Sequence, residues 1–352
     1  MLSALDEDGQ PVDWWFLYKL PKDAPDSPQA PAGTAARTTG YEYLYYDPAH
    51  TQLALSAHTL ADGTGALHQT LGGFFGSAVG GPPAADVPFT TGWVLYNDEI
   101  PGASVNNDER GHTKGAIAFD TASNSALWLL HSTPRFPHPR DVRFPVDELI
   151  YGQTMLCVTL PNVAAAETLA AQMLDEQDPQ TYGNFIPDDI APTSPLRELA
   201  GMPRVPDMKQ PQTVPFSSRG GRSFECIAKS RNWGEDFWND LVGPALEVNL
   251  DVETWRRGAL PSTADSDSTH NVTDVLSVDL APLGVPYSWS YTQDHAKWAV
   301  ATAGSPWVCV GDINRQVSQE KRGGGTIAFQ EQPLWKALAS VQTEKVEKVA
   351  KG

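Results

Sequence analysis

A chain of 352 residues, 41% hydrophobic and with 11 Trp, can fill one large core or two medium ones, which excludes a disordered or fibrous protein. Its 43 acidic against 25 basic side chains leave a net charge of −18 at pH 7, which weighs against a nucleic-acid partner at neutral pH. No apolar run reaches the roughly 18 residues of a membrane span, and the opening MLSALDEDGQPVDWW lacks the basic and apolar regions of an export signal.

Segments rich in β-branched and aromatic residues, bounded by Gly, Pro, Asn or Asp, predict the strands. In chain order the first are Trp14–Leu20, Tyr41–Tyr46, Trp93–Asn97, Lys114–Asp120, Ala126–Ser132 and Thr154–Leu160. An Ala/Leu-rich helix follows over Asn162–Glu176, with Asn162 as its N-cap. Asp178–Pro215 is rich in proline and reads as a long connecting loop. Beyond it come strand Ser223–Ser230, a short helix Gly234–Val242, and strands Leu246–Trp255, Asp274–Leu280, Lys297–Thr302, Trp307–Asp312 and Thr326–Gln330. A last helix, Pro333–Val349, opens on proline at its first turn and ends in TEKVEKVAKG, read as a fraying charged end. Cys157, Cys226 and Cys309 lie far apart in apolar runs without zinc or disulfide spacing, so they read as buried free thiols.

Two short stretches carry the chemistry. GHTKG sets His112 and Lys114 two apart, and DHAKW sets His295 and Lys297 in the same spacing. With 8 His and 11 Lys, chance gives about 0.25 such pairs, so a single match would be an ordinary surface pair. The surroundings repeat too. Each pair leads into an apolar strand, a turn, a second strand, a third strand and a helix, with Trp128 matching Trp307 and Thr154 matching Thr326. This is an internal duplication. Packed about a pseudo-two-fold axis, it brings the two His-x-Lys strand starts face to face.

Residues i and i+2 of a strand share a face, so each His projects with its Lys. Two imidazoles and two ammoniums in one site suit an anionic centre such as a phosphodiester. Imidazole can act as nucleophile, base or acid, and lysine stabilises charge on the non-bridging oxygens. His50, His58, His68, His138 and His270 read as solvated loop residues. His131, ending a strand near the site, is open to a supporting or a catalytic role. No metal motif and no phosphate-binding P-loop is present. Gly323–Gly325, between Arg322 and Thr326, fits either a phosphate-approaching backbone or a tight turn.

At these residues the chain resembles the deoxyribonuclease II family. GHTKG, WLLHSTPRFP, YGQTMLCV, DHAKW, PWVCVGDINR, KRGGGT and PLWKA carry the resemblance, with GQPVDWWFLYKLP and WVLYNDE near the N-terminus. It runs from about Gly9 to Ala337, weakly over 50–90 and 178–220. It implies an α/β fold, a phospholipase D-like pseudo-dimer of two duplicated mixed-sheet halves sharing one active site. The halves are expected at 1–177 and 221–352, joined by a proline-rich loop at 178–220. It also implies a microbial relative that cuts double-stranded DNA at acidic pH with no metal or other cofactor, leaving 3′-phosphate and 5′-hydroxyl ends.

Carried over by residue, His112, Lys114, His295 and Lys297 form the catalytic site. Asn314, Arg135, Thr154, Thr326 and Arg322 are the expected substrate-binding residues. Arg135 stands where the family often has Asn; arginine binds phosphate bidentately but reaches further. Arg315, Lys229 and Arg231 join Arg135 and Arg322 as candidates for a basic groove. The expected mechanism has one histidine attack phosphorus and the other protonate the 5′-oxygen, with His112 favoured as nucleophile. Acidification removes much of the −18 charge, so repulsion of DNA shrinks near the sequence pI of about 4.7. No membrane partner is expected, a homodimer is left open, and a secreted or periplasmic site is suspected although no signal is visible. The competing functions are a lipid-headgroup phosphodiesterase and a DNA-binding protein that kept the fold without the activity.

Overall fold

The computed structural model describes residues 1–29, 36–75, 87–103, 109–139, 141–201, 205–256, 258–261 and 268–347. Two β-sheets dominate the described residues, one of eight strands and one of nine. The first runs in the order Thr181–Phe185, Thr91–Asn97, Lys114–Asp120, Ser125–His131, Gln153–Leu160, Trp14–Lys19, Tyr43–Tyr46 and Ala54–Leu55, all antiparallel. The second runs Gln212–Ser217, Ser223–Lys229, Gly324–Gln330, Trp307–Gly311, Lys297–Ala301, Leu250–Thr254, Val272–Asp279 and Ser288–Ser290, with Gln342–Glu347 also paired to Val272–Asp279. Its one parallel pairing joins Leu250–Thr254 to Val272–Asp279. The fold is thus mixed α/β with mostly antiparallel sheets.

Alternation along the strands explains how the sheets pack. Trp14, Phe16 and Tyr18 point into a core shared with Phe224, Trp298, Val300, Val308, Val310, Ile327 and Phe329 of the second sheet. Trp15 and Leu17 point the other way, into a cluster under helix Gly65–Phe75. The outer face of the second sheet is covered by Phe237–Leu246, through Phe237, Trp238, Val242 and Leu246. Both faces of each sheet are therefore buried, which is why so many strands read as unbroken apolar runs. Helices Val163–Gln172 and Gln332–Ser340 complete the shared core through Ala166, Leu169, Leu334 and Leu338. Asn162 caps the first of these, its Oδ1 accepting from the Ala165 amide at 2.9 Å. All three cysteines are free and buried.

Several expectations are corrected. The proline-rich stretch contains strand Thr181–Phe185, helix Pro195–Ala200 and strand Gln212–Ser217, with prolines at helix starts and sheet edges where a missing N–H is tolerated. Helix Gly65–Phe75 was not foreseen, and it buries His68. The last helix stops at Ser340, and Gln342–Glu347 is a strand. There pairing with the open edge of Val272–Asp279 outweighs helical propensity; residues 348–352 lie outside the described residues. Strand Leu246–Trp255 begins only at Leu250, because Gly243–Leu246 forms a helical turn closed by Glu247 at φ 55°. No helix among the described residues is long and apolar enough to cross a membrane.

Candidate active site

His112 lies just before strand Lys114–Asp120, where Lys114 pairs in register with Asn97. One step further along, Asp98 meets both functional side chains. Lys114 Nζ donates to Asp98 Oδ1 at 2.5 Å, Arg322 donates to Oδ2 at 2.8 Å, and His112 Nε2 stands 4.0 Å from Oδ2. Burial alone would raise the Asp98 carboxyl, but Lys114, His112 and Arg322 hold it well below the usual carboxylate range. Burial and the Lys114 charge push the His112 imidazole well below its ordinary value. His112 Nδ1 contacts the carbonyl oxygen of Asp312. A carbonyl only accepts, so the ring proton sits on Nδ1 and Nε2 carries the free lone pair.

His295 sits in a different setting. Its ring stacks on Tyr151 with centroids 3.8 Å apart and planes 11° apart, and Trp255 packs at 4.4 Å. Glu148 Oε2 lies 3.7 Å from His295 Nδ1. Burial, then Glu99, pushes the Glu148 carboxyl up to about 7 against the opposing charges of Arg135, Lys114 and Lys19. Lys297 donates from Nζ to the His295 carbonyl at 2.6 Å and from its amide to Thr154 Oγ1 at 3.3 Å. Burial and the Lys114 charge lower its ammonium to about 7. Burial likewise pushes Asp312 up to about 7, against the Gly325 amide that donates to it at 2.9 Å.

Each His-x-Lys strand start is clasped by the opposite sheet. The His112 amide donates to Gly323 O at 2.8 Å, and the His295 amide donates to Gly152 O at 2.8 Å. Both contacts need glycine. A Cβ on Gly152 would fall 2.5 Å from Asp294 Oδ1, and one on Gly323 would fall 2.6 Å from Gln177 O. Both histidines line one cleft of about 760 Å³, with Asn314, Arg135, Arg322 and Arg231 also on its wall. Lys114 and Lys297 are buried beneath it.

The remaining expected residues divide. Asn314 Oδ1 is buried with no protein partner. Arg135, at φ 56°, turns its guanidinium to Glu99 at 3.2 Å and toward Glu148 at 3.9 Å. Thr154 and Thr326 are buried in strands and do not line the cleft. Lys229 and Arg315 do not belong to a surface groove. Lys229 Nζ is spent on the carbonyls of Gln319, Glu320 and Arg322. Arg315 is buried between Asp236 at 2.9 Å and Asp274 at 2.7 Å. His131 is buried, accepts from the Thr133 amide at 3.2 Å, and is held at about 3 by burial and Lys114. The Gly323–Gly325 run is committed to His112 and Asp312 rather than open to a ligand. No group of three His, Cys, Asp or Glu that could hold a metal occurs among the described residues. Asp98, Glu148, Tyr151 and Trp255 were missed, because only the strand register and the folded loops bring them to the histidines.

Comparison with known proteins gives a consistent result. The family model described as deoxyribonuclease II matches residues 3–347. A Burkholderia pseudomallei protein named for deoxyribonuclease-2 is 47% identical over 342 residues, covering 96% of this chain and 91% of its own. Deoxyribonuclease-2-alpha of Sus scrofa is 33% identical over 343 residues, covering 96% and 88%. The solved structure of yeast tyrosyl-DNA phosphodiesterase aligns over 67% of this chain and 69% of its own at 12% identity, with a TM-score of 0.29 that is too low to define the fold.

Proposed function

The chain belongs to the deoxyribonuclease II family and is a nuclease of that type, and from this premise we propose that it hydrolyses DNA phosphodiesters endonucleolytically, without a metal ion, to 3′-phosphate and 5′-hydroxyl ends. The observation that carries the proposal is that His112 and His295 line one cleft, with Lys114 and Lys297 buried close enough to each other for their charges to interact. We read the two sheets as the halves of a phospholipase D-like pseudo-dimer built on residues 1–177 and 221–352, the connecting stretch 178–220 adding Thr181–Phe185 to the edge of the first sheet and Gln212–Ser217 to the edge of the second. Its support is the shared strand order. Thr91–Asn97, Lys114–Asp120, Ser125–His131 and Gln153–Leu160 correspond to Leu250–Thr254, Lys297–Ala301, Trp307–Gly311 and Gly324–Gln330. The reciprocal amide contacts of His112 and His295 support it as well.

In the first step His112 Nε2 attacks phosphorus. The P–N bond forms, the P–O5′ bond breaks, and His295 gives its proton to the departing 5′-oxygen. In the second step water attacks the phosphohistidine and passes a proton to His295. The P–N bond breaks and the 3′-phosphate leaves. The His112 tautomer favours this assignment, since a lone pair on Nε2 is what a nucleophile needs. Lys114, Lys297 and Asn314 offer charge and hydrogen bonding to the phosphoryl oxygens. Thr154 supports Lys297 through its amide contact, and Arg322 and Arg135 carry positive charge on the cleft wall.

Acid preference follows from the same residues. Glu148 and Asp312, each near 7, lose negative charge as pH falls from 8 to 5, and Lys297, also near 7, gains positive charge. Each change makes the site more attractive to a polyanion. The test is nicking of supercoiled plasmid in excess EDTA at about pH 5 and pH 7.5, with wild type and His112→Ala. Cutting by the wild type at acid pH, lost in the variant, supports the proposal. Well-folded wild type that cuts at neither pH contradicts it.

A further inference from the structure

The two histidines occupy equivalent backbone settings with opposite surroundings. Lys114 pairs with Asn97, and Lys297 pairs with Thr254. The next residue outward is Asp98 in one half and Trp255 in the other. The His112 amide meets Gly323, and the His295 amide meets Gly152. The residue before each glycine is Arg322 in one case and Tyr151 in the other. Thus the two positions that hold a charged pair beside His112, Asp98 and Arg322 at 2.8 Å, hold an aromatic pair beside His295. Tyr151 and Trp255 are 6.3 Å apart at 63°, half-buried, and both line the cleft. Ile150, 50% exposed, stands next to them on the same wall.

Ionic and aromatic walls suit different parts of a nucleotide. An Arg–carboxylate–Lys cluster fixes charge. A pair of aromatic faces carries no fixed charge to hold a phosphate, but it stacks any base, because every base has a π-face. Access to the histidines sets a further demand. Their side chains are only 12% and 11% exposed, at a cleft of about 760 Å³, within the range of small-ligand sites. With the histidines so recessed, pulling the adjoining nucleotide out of the helical stack is one way to bring the phosphate within their reach.

We propose that Tyr151 and Trp255 form a base-stacking platform that receives the unstacked base of the nucleotide on the 3′ side of the scissile phosphate, the one whose 5′-oxygen leaves. This rests on the phosphodiesterase function proposed above, with His295 as the acid. The platform is indifferent to sequence and makes extrusion of one base part of substrate binding.

The experiment compares defined duplexes that are intact or carry a stable abasic residue immediately 3′ of a mapped cleavage bond. Wild type, Tyr151→Leu, Trp255→Leu and Tyr151→Phe are assayed for kcat/KM and its pH profile. Wild type is expected to cut the abasic site about tenfold or more slowly than the intact one. The leucine variants also lose packing on His295, which lowers both rates alike, so their loss is expected to be about tenfold or more greater on the intact duplex than on the abasic one, while Tyr151→Phe, which keeps the ring, keeps the wild-type ratio between the two duplexes. Equal losses on both duplexes, with a shifted pH profile, would mean the rings only position His295 and would overturn the platform. So would wild-type rates that ignore the missing base, or leucine variants that cut the intact duplex normally. Wild type that cuts no duplex removes the phosphodiesterase function itself, and the platform with it.

Discussion

The Asp98 carboxylate takes the Lys114 ammonium at 2.5 Å, with the two side chains 3% and 1% exposed. Asp98 also holds Arg322, so one acidic residue orders the ionic wall beside His112. Breaking a buried ion pair from one side costs about 3–5 kcal/mol, because the partner charge stays behind. Asp98→Asn is therefore expected to lower the melting temperature and to slow plasmid nicking by about a hundredfold or more. Both are read on the same preparation, by thermal melting and by gel assay.

Glu148 makes a separate prediction. Its carboxyl titrates near 7 beside His295, so it is neutral at pH 5 and negative at pH 8. Glu148→Gln removes the charge that repels DNA only above that point. The KM for duplex DNA is expected to fall several-fold at pH 8 and to stay near the wild-type value at pH 5. Initial rates at both pH values check it.

Asp312 links the site to stability. Its folded value is near 7 against an ordinary 3.8, so the folded state binds its proton more tightly than the unfolded chain does. That raised value favours folding below pH 3.8, and the advantage is lost as pH rises to 7. Asp312→Asn keeps the neutral shape at every pH. Its stability relative to wild type should grow between about pH 4 and pH 7, by about 1.4 kcal/mol per unit at most, and level off above. Paired denaturant melts across that range measure the difference directly.

Much of the candidate site could be read from the sequence because it is local. His112 with Lys114 and His295 with Lys297 are two apart on strands, and the repeat of GHTKG in DHAKW marks them as a set. What could not be read is what the fold adds from a distance. Asp98 reaches Lys114 across a strand register 16 residues apart, and Arg322 reaches Asp98 across 224. Lys229 and Arg315 show the converse. Both look like surface cations in sequence, yet each is enclosed by acceptors from segments remote in the chain. The fold was misread where propensity and context compete. TEKVE has the composition of a helix end, but it pairs with Thr273–Val278 because that edge would otherwise stay open.

That edge strand gives a prediction about the fold alone. Lys345 Nζ bonds Asp251 Oδ2 at 2.6 Å, and Val341 is buried in the shared core. Deleting residues 342–352 is expected to lower the melting temperature by a few degrees while leaving plasmid nicking in place, since Gln342–Glu347 does not line the cleft. Melting and nicking of the truncated protein test this.

The central claim is that His112 and His295 divide nucleophile and acid in one site. The most direct test is peptide mass spectrometry after rapid alkaline denaturation during turnover of an oligonucleotide duplex. The account predicts a nucleotidyl adduct on the peptide that contains His112 and none on that peptide in His112→Ala. Product formation with no adduct on either histidine peptide, or an adduct on the His295 peptide alone, would contradict it.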